Sequence, residues 1–147
     1  MAIPFPNHPQ LRGNFAPINF EAQAHDLVVD GKLPDGLSGS LYRNGPNPKY
    51  APNGPYHWFG GDGMLHAFHF NDGKVDYLNK WIRTPKHAAE LAAGQALARQ
   101  RRPDEKTGQV MADNRNGLAN THVIWHAEQL LALDEGSHPF AVDPQTL

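Results

Sequence analysis

Residues 64–81 read MLHAFHFNDGKVDYLNKW, and this stretch sets the fold class. Its first half alternates between two sets of side chains, Met64, His66, Phe68 and Phe70 against Leu65, Ala67 and His69. Asn71-Asp72-Gly73 follows as a turn, because glycine accepts the positive φ that short hairpin loops require. The second half alternates again through Val75, Tyr77 and Trp81. The stretch therefore predicts a β-hairpin.

A second hairpin is predicted in residues 121–135, THVIWHAEQLLALDE, with its turn at Ala127–Gln129. Further short strands are expected at Asp26–Asp30, at Leu41–Arg43 and at Pro139–Val142. We expect the strand at Leu41–Arg43 to stop at RNGPNP, because proline has no N–H to donate to a ladder.

One helix is predicted to begin after Thr84, which can cap it, with Pro85 in the first helical position. The residues that follow, AAELAAGQALARQ, are mostly strong helix formers, and Gly94 is expected to weaken the helix from within. The charged run RQRRPDEKTG, residues 99–108, is expected to be a solvated loop. Two hairpins with one helix between them make a mainly β chain.

Composition excludes several classes of partner. The chain has 147 residues, a formal net charge of -2 and no cysteine. The charge gives no reason to propose nucleic acid as a partner, and disulfides and thiolate metal sites are impossible. We find no transmembrane segment and no signal-peptide pattern, so we expect a cytoplasmic protein.

Nine histidines raise the question of a metal site, because neutral imidazole is a common metal ligand. His66 and His69 are three residues apart, so a regular strand points them to opposite faces. His122 and His126 share a face but lie about 13 Å apart. We therefore expect no complete metal site within this chain, and we interpret the histidines as hydrogen-bonded structural residues.

The run Gly60–Gly63, GGDG, could suggest a phosphate-binding loop. No helix is predicted to follow it directly, and no P-loop lysine is present. An aspartate-stabilised turn is the better interpretation. Trp58 and Phe59 precede this turn and can either pack in the core or line a cavity.

Taken together, several stretches resemble the carotenoid cleavage oxygenase family. The resemblance is collinear over nearly the whole chain and rests on LRGNFAP, DLVVDGKLPDGLSGSLYRNGPNP, YHWFGGDGMLHAFHF, IRTP, ANTHVIWH, LLALDE and PFAVDPQTL. The helix stretch WIRTPKHAAELAAGQAL is most similar to the bacterial branch that cleaves stilbenes and phenylpropenes.

The resemblance implies that residues 1–147 are the N-terminal segment of one seven-bladed β-propeller domain, with the helix contributing to its cap. In that family four histidines hold Fe(II), which activates O2 to split a C=C bond into two carbonyl products. The iron ligands are expected downstream of Leu147, in the remainder of the propeller polypeptide. The substrate implied is an apolar conjugated alkene, and the chain alone is expected to be inactive.

Five site residues follow from the resemblance. Phe59 matches a position that reaches the substrate tunnel. Thr121 matches a threonine whose methyl lies beside an open iron coordination position, and Glu135 matches a glutamate that accepts a hydrogen bond from an iron-bound histidine. Arg101 and Asp134 stand where stilbene-cleaving relatives have a tyrosine and a lysine that engage a 4-hydroxyl group. An ionised Asp134 cannot donate a hydrogen bond to such a group, so another aryl alkene or an apocarotenoid stays open.

Two alternatives remain at this point. The chain could be a non-catalytic β-rich module that binds aromatic ligands on Trp58, Phe59 and Trp125. The same fold could also act as an isomerohydrolase, because the family includes one.

Overall fold

The computed structural model of the chain describes residues 3–97, 101–103, 110–112 and 117–147. These residues form nine strands and one α-helix, so the predicted mainly β fold with one helix is observed. The strands are β1 Ala22–Ala24, β2 Gly39–Pro46, β3 Gly63–Asn71, β4 Lys74–Trp81, β5 Arg101–Pro103, β6 Val110–Ala112, β7 His122–His126, β8 Gln129–Leu133 and β9 Phe140–Val142, and the helix α1 is Pro85–Ala93.

The first sheet has four antiparallel strands in the order β1-β4-β3-β2. Its centre is the predicted hairpin, which the structure confirms. Asn71 pairs with Lys74, so the loop has only two residues, Asp72 at φ 48 and Gly73 at φ 76. Two successive positive φ angles are what a tight hairpin turn of this kind requires.

Two of the strand predictions were wrong in their bounds. Strand β2 does not stop at Arg43 but continues to Pro46, which pairs with Gly63. Pro46 is tolerated because it is the last residue of the strand, where no further ladder donor is needed. The first strand is Ala22–Ala24 instead of Asp26–Asp30, because Asp26 adopts a φ of 51 that ends the extended backbone.

Helix α1 begins as predicted and ends earlier. The Thr84 hydroxyl oxygen accepts a hydrogen bond from the His87 N–H at 3.1 Å, as a capping residue does. The helix ends at Ala93, and Gly94 is a left-handed C-cap at φ 66 instead of an interior residue. The end of the predicted helix, residues 98–100, lies outside the described residues.

The charged run 99–108 is not a loop throughout, because Arg101–Pro103 is strand β5 and pairs with β6. Its remaining residues lie outside the described ones.

The other sheet has three antiparallel strands in the order β7-β8-β9. It confirms the second predicted hairpin and the strand near residue 140. The hairpin turns through Ala127 at φ 47 and Glu128 at φ 61. Strand β8 ends at Leu133, so Asp134 and Glu135 fall in the turn that follows.

The core lies between these two sheets. Leu65 of β3, Ile82, Ala119 and Ala132 of β8 form a buried cluster. The edges of that cluster are covered by Val123, Phe140, Val142 and Leu147. None of the helices in the described ranges has the length and apolar character that a membrane crossing needs.

The opposite face of the first sheet holds the N-terminal segment through two buried asparagines. The Asn79 side chain accepts from the Ala22 N–H at 2.8 Å and donates to the Phe20 carbonyl oxygen at 3.1 Å. Asn47 does the same for both backbone groups of Ile18, at 2.8 and 2.9 Å. These amides satisfy the backbone groups next to a short edge strand, which stabilises β1.

Candidate active site at the junction of the two sheets

Residues Gly117–Thr121, GLANT, lead into β7 and form a segment that we call the connector. It lies directly against the start of β3, where the Gly63 N–H donates to the Leu118 carbonyl oxygen at 2.8 Å. A Cβ at Gly63 would stand 2.2 Å from the Ala119 carbonyl oxygen. Glycine is therefore required at this position for the two backbones to approach.

Asn120 fixes the connector to the turn that carries Phe59. Its side chain is 1% exposed, and its Nδ2 donates to the carbonyl oxygens of Phe59 at 2.9 Å and Gly61 at 2.6 Å. Phe59 itself is half exposed, in a single 3-10 turn, Trp58–Gly60, that the His57 ring caps by accepting from the Phe59 N–H at 3.2 Å. The backbone of Phe59 is therefore bound to Asn120, the residue that precedes Thr121 in the chain.

Asp134 holds the connector from the other side. Its Oδ2 accepts from the N–H groups of Leu118 at 2.5 Å and Ala119 at 3.0 Å, and its Oδ1 accepts from the Gly136 N–H at 2.7 Å. Burial by itself raises the pKa of the Asp134 carboxyl, but the hydrogen bonds from Ala119, Leu118 and Gly136 outweigh it, so the pKa lies below its ordinary value. The carboxylate therefore stays ionised and engaged at neutral pH.

The hydrogen bond from the Ala119 N–H to Asp134 also stabilises strained backbone in the connector. Ala119 has a φ of 50, a conformation that costs energy for a residue with a Cβ. Its N–H is one of the two that Asp134 binds. A Cβ at Gly117 would stand 2.8 Å from Asp134 Oδ2 and closer still to Ser137. Only glycine therefore lets the connector lie this close to Asp134 and Ser137.

Thr121 is the last residue of the connector, and the connector forms the junction between the two sheets. Its N–H and its hydroxyl both donate to the Leu133 carbonyl oxygen, at 3.0 and 2.9 Å. Because the hydroxyl is committed to the backbone, the side chain has one orientation and the direction of its methyl group is fixed. Glu135, two residues after Leu133, is exposed and makes no hydrogen bond to another described residue.

Hydrogen bonds to the connector join the segments that carry four of the five predicted site residues: Phe59, Thr121, Asp134 and Glu135. The backbone of Arg101 lies in β5, paired with Ala112. The contacts of Asp134 are structural, and a substrate contact by Asp134 or Arg101 stays a prediction. Sequence reasoning missed Asn120, whose position next to Thr121 in the ANTHV motif was the available signal.

The histidines of residues 57–69 have protein partners of their own. The His57 ring caps the Phe59 turn, and His66 Nδ1 lies 2.8 Å from the Tyr77 hydroxyl. His69 Nδ1 lies 2.7 Å from the Ser40 hydroxyl. Burial, with a smaller contribution from Arg43, lowers the pKa of His66. Within the described ranges, no three His, Asp or Glu side chains are grouped so that they could hold a metal ion.

Asp62 of the GGDG run was predicted only to stabilise a turn, but it also binds helix α1 and the backbone of Lys49. It is buried, and its Oδ1 lies 2.8 Å from Lys86 Nζ of α1, while its Oδ2 accepts from the Lys49 N–H at 3.1 Å. Lys86 also lies 2.6 Å from Glu90 Oε1. The i,i+4 spacing of Lys86 and Glu90 was visible in the sequence, but the third partner, 24 residues earlier, was not.

Trp58 points into a different part of the molecule from the connector. It lies edge-on to Phe15 with ring centroids 4.6 Å apart, and both rings line a cavity of about 650 Å³. Met64, His66 and Phe68, from the face of β3 opposite to Leu65, line the same cavity. Trp58 therefore packs against the N-terminal segment, and Phe59 is the aromatic residue at the junction.

Comparison with known proteins places the chain in a family. Residues 15–147 match the model of the retinal pigment epithelial membrane protein family. The chain is 39% identical to isoeugenol monooxygenase of Pseudomonas nitroreducens over 96% of this chain and 30% of that protein. It therefore spans less than a third of the length of the curated relatives that it matches.

Comparison with solved structures leads to the same family. Lignostilbene dioxygenase of Pseudomonas brassicacearum is 37% identical and superposes with a TM-score of 0.85, covering 99% of this chain and 31% of that enzyme. A variant of the apocarotenoid oxygenase of Synechocystis is 31% identical with a TM-score of 0.71, over 88% of this chain and 28% of that enzyme. Both are propeller enzymes, which confirms the predicted fold class, part of a β-propeller with one helix. The chain belongs to the family of the retinal pigment epithelial membrane protein and the carotenoid cleavage oxygenases.

Proposed function

We propose that this chain is the N-terminal part of a non-haem Fe(II)-dependent oxygenase that uses O2 to cleave the C=C bond of an apolar conjugated alkene. Residues 1–147 then belong to one propeller domain, whose remaining blades and iron ligands are supplied by the rest of the polypeptide. The relatives are named for isoeugenol, lignostilbene and carotenoid or apocarotenoid substrates, all of which carry conjugated double bonds.

The observation that carries the proposal is the placement of Thr121 and Glu135 on one junction. Thr121 donates to the Leu133 carbonyl oxygen, and Glu135 lies between Asp134 and Gly136, which a hydrogen bond joins. The apocarotenoid oxygenase of Synechocystis has been solved with a threonine substituted and with a glutamate substituted 14 positions further along its chain. Glu135 follows Thr121 by the same 14 positions, which supports the same pair of roles here.

The residues present fit an iron centre whose ligands lie elsewhere. Glu135 is exposed and accepts no hydrogen bond from the described residues, so its carboxylate can accept the ring N–H of a histidine ligand from outside this chain. Such a contact fixes the ring orientation and raises its basicity. Iron, when bound, supplies the activation of O2.

This chain supplies shape and the exclusion of water. The Thr121 hydroxyl donates to the Leu133 carbonyl oxygen, which fixes the direction of its methyl group. Beside the iron, such a methyl group would limit the approach of water more than that of O2. Phe59 offers a half-exposed aromatic face beside the same junction, suited to a flat apolar alkene. We further propose that Arg101 lies along the path of the substrate.

The test uses the complete native polypeptide, loaded with Fe(II) without oxygen and then supplied with O2 and isoeugenol. We expect about one iron per polypeptide and two carbonyl fragments as products. Glu135→Gln should lower iron affinity or kcat by about 10- to 100-fold. Glu128→Gln, which removes another exposed carboxylate from the β7–β8 turn, is the matched control and should behave as the wild type.

Two results would contradict the proposal. A polypeptide that binds no iron and cleaves no alkene would favour a binding module, and an isomerised or hydrolysed product would favour the isomerohydrolase alternative. Equal iron affinity and activity in the Glu135→Gln and Glu128→Gln variants would remove Glu135 from the site.

A further inference from the structure

We infer that Asp134 is a positioning residue that sets the distance between Thr121 and Glu135 by holding the connector, and that it does not contact the substrate. The inference rests on the proposed function, because it assigns a role within that same site.

The first argument is that the Asp134 carboxylate already accepts hydrogen bonds from the protein backbone. Asp134 accepts three backbone hydrogen bonds, two on Oδ2 and one on Oδ1. An ionised carboxylate can only accept, and backbone N–H groups occupy three of its roughly four acceptor positions. Among the described residues these N–H groups bind no other acceptor. Losing such a partner leaves a backbone donor unsatisfied, which destabilises the fold.

The second argument is the path of the contacts. Asp134 holds Leu118 and Ala119 through its side chain, and its neighbour Leu133 holds Thr121 through the carbonyl oxygen. Residues 118–121 and 133–136 are therefore joined at both ends. Glu135 lies inside the small loop closed by the Asp134–Gly136 hydrogen bond. A movement of the Asp134 carboxylate would thus displace Thr121 and Glu135 relative to each other.

The third argument is that the connector does not keep its shape unaided. Ala119 has a positive φ, a conformation that relaxes unless the surrounding contacts enforce it. Asp134 is the only side chain in the described part of the chain that binds the Ala119 N–H. Asn120 holds the connector at its other flank, against Phe59 and Gly61, so the two side chains act on opposite sides.

Asp134→Asn in the complete native polypeptide is the informative variant. Both carboxylate oxygens accept from backbone N–H groups, so either orientation of the amide sets an NH2 group against an N–H. Asp143→Asn is the matched control. Asp143 caps a turn after β9, where its Oδ1 accepts from the Gln145 and Thr146 N–H groups at 2.8 Å, and an asparagine oxygen can replace it.

Three readouts are compared in the folded variants. We expect Asp134→Asn to speed hydrogen–deuterium exchange in peptides that cover residues 117–121, and Asp143→Asn to leave those peptides unchanged. With isoeugenol, Asp134→Asn should lower kcat by about tenfold or more with KM within about twofold. The electron paramagnetic resonance signal of nitric oxide added to the Fe(II) protein should change in Asp134→Asn alone.

Each opposite result overturns the inference. Unchanged kcat and an unchanged resonance signal would make Asp134 a turn stabiliser only. A raised KM with kcat unchanged would make it a substrate contact. If the wild type neither binds iron nor cleaves alkenes, the proposed function fails separately, and the exchange of residues 117–121 alone then decides whether Asp134 holds the connector.

Discussion

Lys86 Nζ lies 2.8 Å from Oδ1 of Asp62, and this ion pair joins helix α1 to the turn below β3. Both side chains are nearly inaccessible to water, at 13% and 4% exposure. The carbonyl oxygen of Gly61, next to Asp62, accepts from Asn120 of the connector. The helix and the candidate active site are therefore linked through one short turn.

Lys86→Met should strongly destabilise the fold. It leaves the carboxylates of Asp62 and Glu90 buried without their shared cation, and breaking a buried pair in this way costs about 3–5 kcal/mol. Lys32→Met is the control, because the Lys32–Asp35 pair is exposed and surface pairs contribute little. Thermal unfolding of the complete polypeptide should show a large fall in midpoint for the first variant and none for the second. Equal midpoints would mean that the buried network does not stabilise α1.

His87 should make stability depend on pH. It is fully buried against Trp81, and both of its ring nitrogens lack a hydrogen-bond partner among the described residues. Burial lowers its pKa below the ordinary 6.5, despite the opposing charge of Asp62. As pH falls below about 6.5, the unfolded chain takes up a proton that the folded chain resists, so the free energy of unfolding falls.

The measurement is the thermal midpoint of the wild type and of His87→Phe between pH 8 and pH 5. The wild type should lose stability toward the acid side more steeply than the variant, because phenylalanine keeps a flat ring beside Trp81 without a titrating group. Parallel curves would show that His87 finds a protonation partner in the folded state.

Gly63→Ala should disturb the connector. The added Cβ would stand 2.2 Å from the Ala119 carbonyl oxygen, and backbone cannot move aside as a side chain can. We expect a loss of about 1–3 kcal/mol, together with faster amide exchange in residues 117–121. Gly45→Ala is the control, because its Cβ would meet nothing within 4 Å and its φ is not positive. Equal stability of the two variants would contradict the close approach of Gly63 and the connector.

The elements that the sequence predicts well are those whose causes are local. The turn residues Asp72 and Gly73 and the alternation beside them specify the β3–β4 hairpin within a few residues. Thr84 and Pro85 likewise specify the start of α1. In each case the deciding hydrogen bond joins residues close together in the chain, so the pattern alone is sufficient.

The features that could not be predicted depend on distant partners. Strand β1 exists because the Asn79 side chain and the β4 backbone receive it, and its own sequence, AQA, has no strand signal. Asp62 has the pattern of a turn residue until α1 places Lys86 beside it. The family resemblance named Thr121 and Glu135, but only the structure shows that the Asp134 side chain binds the N–H groups of Leu118 and Ala119.

Strand β1 also has a consequence for biosynthesis. In the first sheet β3 pairs with β2, and β4 pairs with β3, so each of these two strands can pair with the strand made just before it. Strand β1 is made first, but its partner Asn79 follows Ala22 by 57 residues. At about 5–20 residues per second, translation leaves the N-terminal segment without its partner for roughly 3–11 s. During that interval the Ala22 N–H and the Phe20 carbonyl oxygen lack the Asn79 side chain that satisfies them in the folded chain.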